Sequence, residues 1–154
     1  MPTITFGSGH TYSTLTPFID NAGFAIENLP SLPHLNIVGS MITATHGSGH
    51  KYQILPNLIV GMDMVFPDGV MKSLHINTTP DFKHYIINFG ALGVITSMTI
   101  KLVPKYKIWK SIYHDLKWDV LFDKKNFHDI MHRQDYLSMF TNWSDKAMNS
   151  VWVG

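Results

Sequence analysis

The stretch that decides the fold reads Ser40-Met41-Ile42-Thr43-Ala44-Thr45-His46-Gly47-Ser48-Gly49, a hydroxyl- and glycine-rich turn after an apolar segment. Its serine and threonine hydroxyls and its backbone N–H groups can donate hydrogen bonds to an anion. Gly47 and Gly49 have no Cβ, so a bulky group can approach the backbone closely. The apolar segment, residues 35–42, contains β-branched residues and predicts a strand that leads into the turn.

A second small-residue turn lies downstream and reads Phe89-Gly90-Ala91-Leu92-Gly93-Val94-Ile95-Thr96. Gly90 and Gly93 alone are typical of a tight connection into a strand. The alternation over residues 94–103 predicts a strand with one apolar face. The residues expected to share that face are Val94, Thr96, Met98, Ile100 and Leu102. We interpret the two turns together as two walls of one nucleotide-cofactor site.

Composition is that of a globular domain with a real core. The 154 residues are 45% hydrophobic, and only 15% are charged, which is low for a free-standing domain. The net charge of +1 and the lack of a basic cluster give no surface for nucleic acid. The chain contains no cysteine, which excludes disulfides and thiol catalysis. No apolar run reaches the length of a membrane span and no signal peptide is visible, so we expect a cytoplasmic protein.

Periodicity and turn signals predict further strands and helices along the chain. One helix is expected to begin after a cap at Thr14 or Thr16 and to end at Gly23. The turn Pro67-Asp68-Gly69 predicts a hairpin. Strands are predicted over residues 3–6, 59–66, 70–76, 107–113, 136–140 and 151–153, and short helices after residues 79–81 and over 127–133. Pro104 marks a boundary, because aromatic content rises after it and the glycine-rich turns stop.

No catalytic or metal site emerges from the spacing of the polar residues. His46 and His50 are four residues apart, as are His128 and His132, but neither pair has the accompanying Glu or a third ligand nearby. We therefore assign no metal. Glu27 is the only glutamate, and no Ser/His/Asp arrangement is present. No residue is assigned a catalytic role.

Three segments of the chain resemble the alditol (xylitol) oxidases, FAD-linked enzymes related to the aldonolactone oxidases. They are residues 31–40, 43–49 and 90–96, and the similarity continues through Trp118-Asp119 and residues 136–143. The resemblance implies the vanillyl-alcohol-oxidase fold. It implies an α+β FAD-binding domain of the PCMH type over residues 1–104, without its N-terminal part. It also implies the beginning of an α+β substrate (cap) domain over residues 105–154.

The resemblance also implies roles for single residues. Ser40 matches a position that faces the flavin and the bound polyol. Gly93 and Ile95 match a second wall of the flavin pocket. The segment that lines FAD, with its diphosphate and ribityl chain, comprises Thr43, Thr45, His46, Gly47, Ser48, Gly49, His50 and Lys51.

Some functional parts of the family are not expected in this chain. Gly7-Ser8-Gly9-His10-Thr11 imitates a motif whose histidine bonds covalently to the flavin. The distance from His10 to residues 31–34 is too short for that motif, so we place His10 in a later strand–turn–helix unit. The first pyrophosphate loop and the proton-abstracting residues of the family lie outside the match. We therefore expect a marginal fold, unpaired strands at Val94 and Val151, and little retained FAD.

The activity implied by the resemblance is oxidation of a CH–OH group. Hydride would pass from a polyol to the flavin, and dioxygen would be the electron acceptor, giving peroxide. The expected partners are a small polyol or sugar-acid lactone and dioxygen. Two alternatives stay open, namely an oxidase of arabinono- or gulono-lactone and a non-catalytic truncated remnant.

Overall fold

The computed structural model describes residues 1–143 and 146–154, which divide into two units. The first unit comprises Met1–His46 and Gln53–Tyr106, and the second comprises Gly47–Tyr52 and Lys107–Gly154. The chain therefore enters the second unit briefly at Gly47 and then returns. The sequence-based boundary placed residues 47–52 in the first domain, whereas the structure groups them with the C-terminal part of the chain.

The first unit is built on a four-stranded antiparallel sheet. Its strands and helices are β1 (Thr3–Gly7), α1 (Tyr12–Asn21), β2 (Phe24–Ala25), α2 (Ile37–Ile42), β3 (Ile59–Val65), β4 (Met71–His75), β5 (Val94–Lys101) and β6 (Val103–Pro104), with 3₁₀ turns at Leu55–Leu58 and Phe82–Tyr85. The strand order is β1-β5-β3-β4, and β2 pairs with β6. Because β5 lies between β1 and β3, the expected lack of neighbours for the strand at Val94 is wrong.

Residues 37–42 form a helix, so the predicted strand over residues 35–42 is wrong. Asn36 caps α2, because its side-chain oxygen accepts the N–H of Gly39 at 2.8 Å. The same side chain donates to the carbonyl of Ser8 at 2.7 Å, which ties the cap to the turn after β1. A short, fully apolar run is compatible with a buried strand or a buried helix, and here the cap decides between them.

Helix α1 begins before the position that the sequence predicts. Its cap is Thr11, and not Thr14 or Thr16, because Thr11 and Thr14 exchange side-chain and backbone hydrogen bonds in a capping box. Pro17 consequently lies inside the helix and not in its first turn. The predicted end is confirmed, since Gly23 follows the last turn with a φ of +82°.

A β-bulge in β5 disrupts the predicted alternation. Ser97 pairs with Asp63, but Ile95 pairs with Met64, so Thr96 is an extra residue on its strand. The bulge moves every side chain before it to the opposite face. The predicted shared face is therefore wrong for Val94 and Thr96, which are exposed. The buried residues of this stretch are Ile95, Met98, Ile100 and Leu102.

The hairpin between β3 and β4 is confirmed. Gly69 has a φ of +78°, and Asp68 accepts the N–H of Val70 at 3.0 Å. The sheet packs on α1 and α2 through one buried apolar cluster. Its fully buried members are Ile37, Met41, Leu55, Ile59, Met64, Met98 and Ile100.

The second unit contains a three-stranded antiparallel sheet covered by two helices. Its elements are β7 (Ser111–Lys117), α3 (Trp118–Phe122), α4 (Lys124–Arg133), β8 (Leu137–Phe140) and β9 (Ala147–Val153), in the strand order β7-β9-β8. Strand β9 is central, so the expected lack of a partner at Val151 is wrong. Its buried cluster consists of Leu121, Leu137, Met148 and Val151.

The predicted elements of the second unit differ from the observed ones in their bounds. The strand predicted over residues 151–153 begins earlier, at Ala147, and the strand predicted over residues 136–140 begins at Leu137. The strand predicted over residues 107–113 begins only at Ser111, because Ser111 pairs with Val153, the last residue of β9. The helix predicted over residues 127–133 is confirmed and begins earlier, at Lys124. Asp123 caps it by accepting the N–H groups of Lys125 and Asn126. Within the described residues, no helix is both long and apolar enough to cross a membrane.

Candidate functional site

Ser40 lies on α2 with its side chain buried. Its hydroxyl donates to the carbonyl of Ile37 at 2.8 Å and lies 2.7 Å from the phenol oxygen of Tyr12. Burial raises the pKa of Tyr12, and the hydrogen bond to Ser40 only partly offsets that effect. The neutral phenol therefore donates to Ser40, because the single hydrogen of Ser40 goes to Ile37. Ser40 keeps a lone pair for a further donor, and its role beside a flavin and polyol stays a prediction.

The turn after α2 is closed by its own hydrogen bonds. The hydroxyl of Thr43 donates to the carbonyl of Gly39 at 2.9 Å, so its hydrogen is already engaged. Ala44 has a φ of +61°, a left-handed conformation that turns the chain out of the helix. The carbonyl of Thr45 accepts the N–H of Leu55 at 3.0 Å. These bonds fix the turn within the first unit, and the cofactor roles of Thr43, Thr45 and His46 stay predictions.

The Gly47–Tyr52 segment belongs to the second unit, where two of its side chains have polar partners. The Ser48 oxygen accepts the backbone N–H of Leu137 at 2.8 Å. The Lys51 ammonium lies 2.9 Å from a carboxylate oxygen of Asp135. Hydrogen bonding and the charge of Asp135 raise the pKa of Lys51, so the ammonium is charged at neutral pH. Ser48 can still donate its hydroxyl hydrogen, and Lys51 two N–H bonds, to an anion.

A glycine is required at position 49 by packing within the second unit. A Cβ on Gly49 would lie 2.3 Å from the carbonyl oxygen of Asp135 and 2.5 Å from the ring of Tyr52. The Gly49 carbonyl also accepts the N–H of Tyr52 at 3.2 Å. The space left by the missing Cβ is thus filled by this chain's own backbone and aromatic ring. The interpretation that this space admits a ligand does not apply to that side of Gly49.

Three histidine rings lie together in the second unit. The ring of His50 lies 4.4 Å from that of His132, tilted by 60°, and the ring of His132 stacks on His128 at 4.1 Å. The spacing of histidines in the sequence could not reveal this group. By spacing, the expected neighbour of His50 is His46, four residues before it, but His46 belongs to the first unit. Among residues 1–143 and 146–154, no three His, Asp or Glu side chains are arranged to hold a metal ion.

Gly93 and Ile95 lie at the start of β5, opposite β3. Gly93 has a φ of +154°, and a Cβ there would lie 2.3 Å from the carbonyl oxygen of Val65. The side chain of Ile95 is buried in the core, and Ile95 pairs with Met64. A contact between Ile95 and a cofactor would therefore have to come from its backbone. The assignment of both residues to a flavin wall stays a prediction.

His10 lies in the turn between β1 and α1, which agrees with its placement in a strand–turn–helix unit. One of its ring nitrogens is 3.4 Å from the Thr14 hydroxyl. Its carbonyl accepts the N–H of Ile37 at 3.0 Å, so His10 helps to hold the start of α2.

Asp63 is a polar centre that sequence reasoning did not identify. Its two carboxylate oxygens accept the hydroxyls of Ser73 and Ser97, each at 2.6 Å. These hydrogen bonds lower the pKa of Asp63. The alternation in β3 places Asp63 on the polar face, but only the register of β4 and β5 brings the two serines to it.

Asp63 is expected to make stability depend on acid pH. Because its folded pKa is lowered, its contribution is present above the unfolded pKa of about 3.9 and is lost as pH falls through the folded value. Asp63→Asn should remove this dependence and destabilise the chain by about 1 kcal/mol or less, since the carboxylate is partly exposed. Urea unfolding between neutral pH and about pH 3 measures the free energy of unfolding of both proteins. If that free energy fell with pH in the same way in wild type and in Asp63→Asn, the contribution of Asp63 would be contradicted.

No protein-family model matches the chain, but individual proteins do. It is 28% identical over 154 residues to alditol oxidase of Streptomyces sp., covering 98% of this chain and 35% of that protein. It is 28% identical over 131 residues to D-arabinono-1,4-lactone oxidase of Saccharomyces cerevisiae, covering 80% of this chain and 25% of the relative. It is 27% identical over 146 residues to L-gulono-1,4-lactone dehydrogenase of Mycobacterium tuberculosis, covering 94% and 33%.

Solved structures of cholesterol oxidases have the same fold. The cholesterol oxidase of Brevibacterium sterolicum superimposes with a TM-score of 0.83 at 22% identity, covering 99% of this chain and 32% of that one. A solvent-stable cholesterol oxidase gives a TM-score of 0.77 at 15% identity, covering 97% and 32%. The chain thus spans about a third or less of these proteins. The chain is homologous to part of the alditol and aldonolactone oxidases and has the α+β FAD-binding fold of the vanillyl-alcohol-oxidase (PCMH) type, which confirms the resemblance and the fold class.

Proposed function

We propose that the chain is part of an FAD-dependent oxidase that acts on a CH–OH group of a sugar alcohol, with dioxygen as the electron acceptor. The observation that carries the proposal is the match to alditol oxidase over 98% of this chain. The match to D-arabinono-1,4-lactone oxidase covers 80% of the chain. L-gulono-1,4-lactone dehydrogenase matches 94% of the chain, so coverage does not separate the two substrate classes. The choice of a polyol over a lactone rests on the Ser-Leu-Pro-His sequence at residues 31–34.

The residues of the Gly47–Tyr52 segment suit a diphosphate. Ser48 offers a hydroxyl hydrogen and Lys51 a charged ammonium, and charge-assisted hydrogen bonds of this kind are the strong ones in anion binding. Bound FAD would supply the acceptor for a hydride. The chain's own residues would bind and orient it: Ser48 and Lys51 at the phosphates, and Ser40 as an acceptor for a polyol hydroxyl.

The proposal also assigns domains. Residues 1–104 would form the FAD-binding domain and residues 105–154 the beginning of the substrate domain. The structure adds that the Gly47–Tyr52 segment lies in the second unit. No residue of this chain is proposed as a catalytic base, because the matching residues of the family lie outside the similar region.

A titration with FAD and with riboflavin, which lacks the diphosphate, tests this proposal. We expect weak binding of FAD. Lys51→Met should lower the affinity for FAD about tenfold, because one charge-assisted contact is lost. Riboflavin binding should be the same in both proteins. Lys124→Met, at an exposed position on α4, is the matched control. Flavin fluorescence is the readout.

Two outcomes would contradict the proposal. One is an FAD fluorescence that addition of the protein leaves unchanged. The other is an FAD affinity that Lys51→Met leaves unchanged, because it would show that the Lys51 ammonium does not contact the phosphates. We expect no peroxide from this chain with xylitol, sorbitol or galactonolactone.

A further inference from the structure

Four consecutive residues of the Gly47–Tyr52 segment rest on one corner of the second unit. We name it the α4–β8 corner and define it as residues 132–137, between the last turn of α4 and the first residue of β8. Ser48 accepts the N–H of Leu137. The other three contacts are Gly49 against the Asp135 carbonyl, the His50 ring against His132, and the Lys51 ammonium on the Asp135 carboxylate.

The His132 ring is itself held in place. Its Nδ1 lies 2.9 Å from the carbonyl oxygen of His128, so a neutral ring donates its Nδ1–H there. The ring also stacks on that of His128 with an angle of 13° between their planes. His132 therefore presents a fixed face to His50.

Contacts with the α4–β8 corner also orient the two hydrogen-bond donors of the segment, the Ser48 hydroxyl and the Lys51 ammonium. Because the Leu137 N–H donates to the Ser48 oxygen, the Ser48 hydroxyl hydrogen must point away from β8. Asp135 fixes one N–H of the Lys51 ammonium and leaves the other two free to turn to an anion. An exposed ion pair adds little stability, so its value here is geometric.

We propose that the α4–β8 corner positions the Gly47–Tyr52 segment for a diphosphate ligand, with His132 and Asp135 as positioning residues that do not touch the ligand. The inference rests on the proposed function, since it takes Ser48 and Lys51 as the ligand-binding groups. It adds that the second unit controls the affinity of a segment that sequence similarity assigns to the FAD-binding domain.

The test compares His132→Ala with His132→Phe, which retains a ring for stacking but not the hydrogen bond. ADP serves as the diphosphate probe, and amide hydrogen exchange reports the order of the segment without ligand. In His132→Ala, we expect the Tyr52 amide, bonded to the Gly49 carbonyl, to exchange about tenfold faster. ADP affinity should fall roughly three- to tenfold, and His132→Phe should restore most of both.

Controls separate this inference from a general loss of folding and from failure of the proposed function. The Trp152 amide in β9 should exchange at the wild-type rate in each variant, and Lys124→Ala should change neither readout. If ADP binds and His132→Ala alters neither exchange nor affinity, the positioning role is overturned. If wild type binds no ADP, the proposed function fails, whether or not the exchange of the segment depends on His132.

Discussion

Gly93→Ala is expected to abolish cooperative folding of the first unit, with a loss of at least about 4 kcal/mol. A Cβ on Gly93 would lie 2.3 Å from the carbonyl oxygen of Val65 and 3.1 Å from its carbonyl carbon. Both atoms are backbone atoms of β3, so relief requires β3 and β5 to separate at Val65 and Val94. The φ of +154° adds strain for any residue with a side chain.

Gly90→Ala is the matched control for this prediction. Gly90 also has a positive φ, +77°, but a Cβ there meets no atom within 4 Å. Gly90→Ala should therefore lower the free energy of unfolding by only about 1 kcal/mol, because the backbone strain of the positive φ is its only cost. Urea unfolding followed by far-UV circular dichroism measures both variants. Equal stability of the two variants would show that the close approach of Val65 does not exist.

Gly49→Ala is expected to displace the Gly47–Tyr52 segment and to destabilise the second unit by about 2–4 kcal/mol. The ring of Tyr52 can rotate away from a new Cβ, but the Asp135 carbonyl, 2.3 Å away, cannot move without shifting β8. The same displacement removes Ser48 and Lys51 from their partners. Binding of FAD should be lost together with stability, even though Gly49 need not touch the cofactor.

The chain contains its own control for Gly49→Ala. The tetrapeptide Gly-Ser-Gly-His occurs at residues 7–10 as well as 47–50, and a Cβ on Gly9 meets no atom within 4 Å. Gly9→Ala should change stability by about 0.5 kcal/mol or less. All four tryptophans lie in the second unit, so tryptophan fluorescence in urea reports that unit. A Gly49→Ala melt that coincides with Gly9→Ala would contradict the packing described here.

Local signals predict the β3–β4 hairpin well and the strand β5 only in part. The β3–β4 hairpin follows from Pro67-Asp68-Gly69, because proline and glycine restrict the turn without help from distant residues. The bulge at Thr96 is set by pairing with Asp63 and Met64, so it exists only once β3 is in place. Strand alternation therefore predicts the presence of β5 but assigns its first residues to the wrong face.

The predicted strand over residues 35–42 is wrong for a different reason. Its apolar residues fit a buried strand and a buried helix equally well. The deciding interactions are those of Asn36, whose side chain caps the helix and also bonds to Ser8. A cap signal is present in the sequence at Asn36, but its second partner comes from the turn after β1 and is visible only in the fold.

The candidate site shows the same limit. Sequence and resemblance single out Ser48 and Lys51, and both have side chains that can donate to an anion. Their partners Asp135 and Leu137 lie far along the chain, and no spacing rule connects them. Gly49 is singled out for a reason that the structure revises, because its missing Cβ makes room for Asp135.

Amide chemical shifts measured during an FAD titration test most directly whether this chain carries part of an FAD site, as we propose. Sites that lack some phosphate contacts bind weakly, by roughly 1.5–3 kcal/mol per missing contact, and chemical shifts detect such weak binding. We expect saturable chemical-shift changes at the amides of residues 48–51 and 93–95. An absence of shifts at millimolar FAD, or shifts confined to other residues, would contradict it.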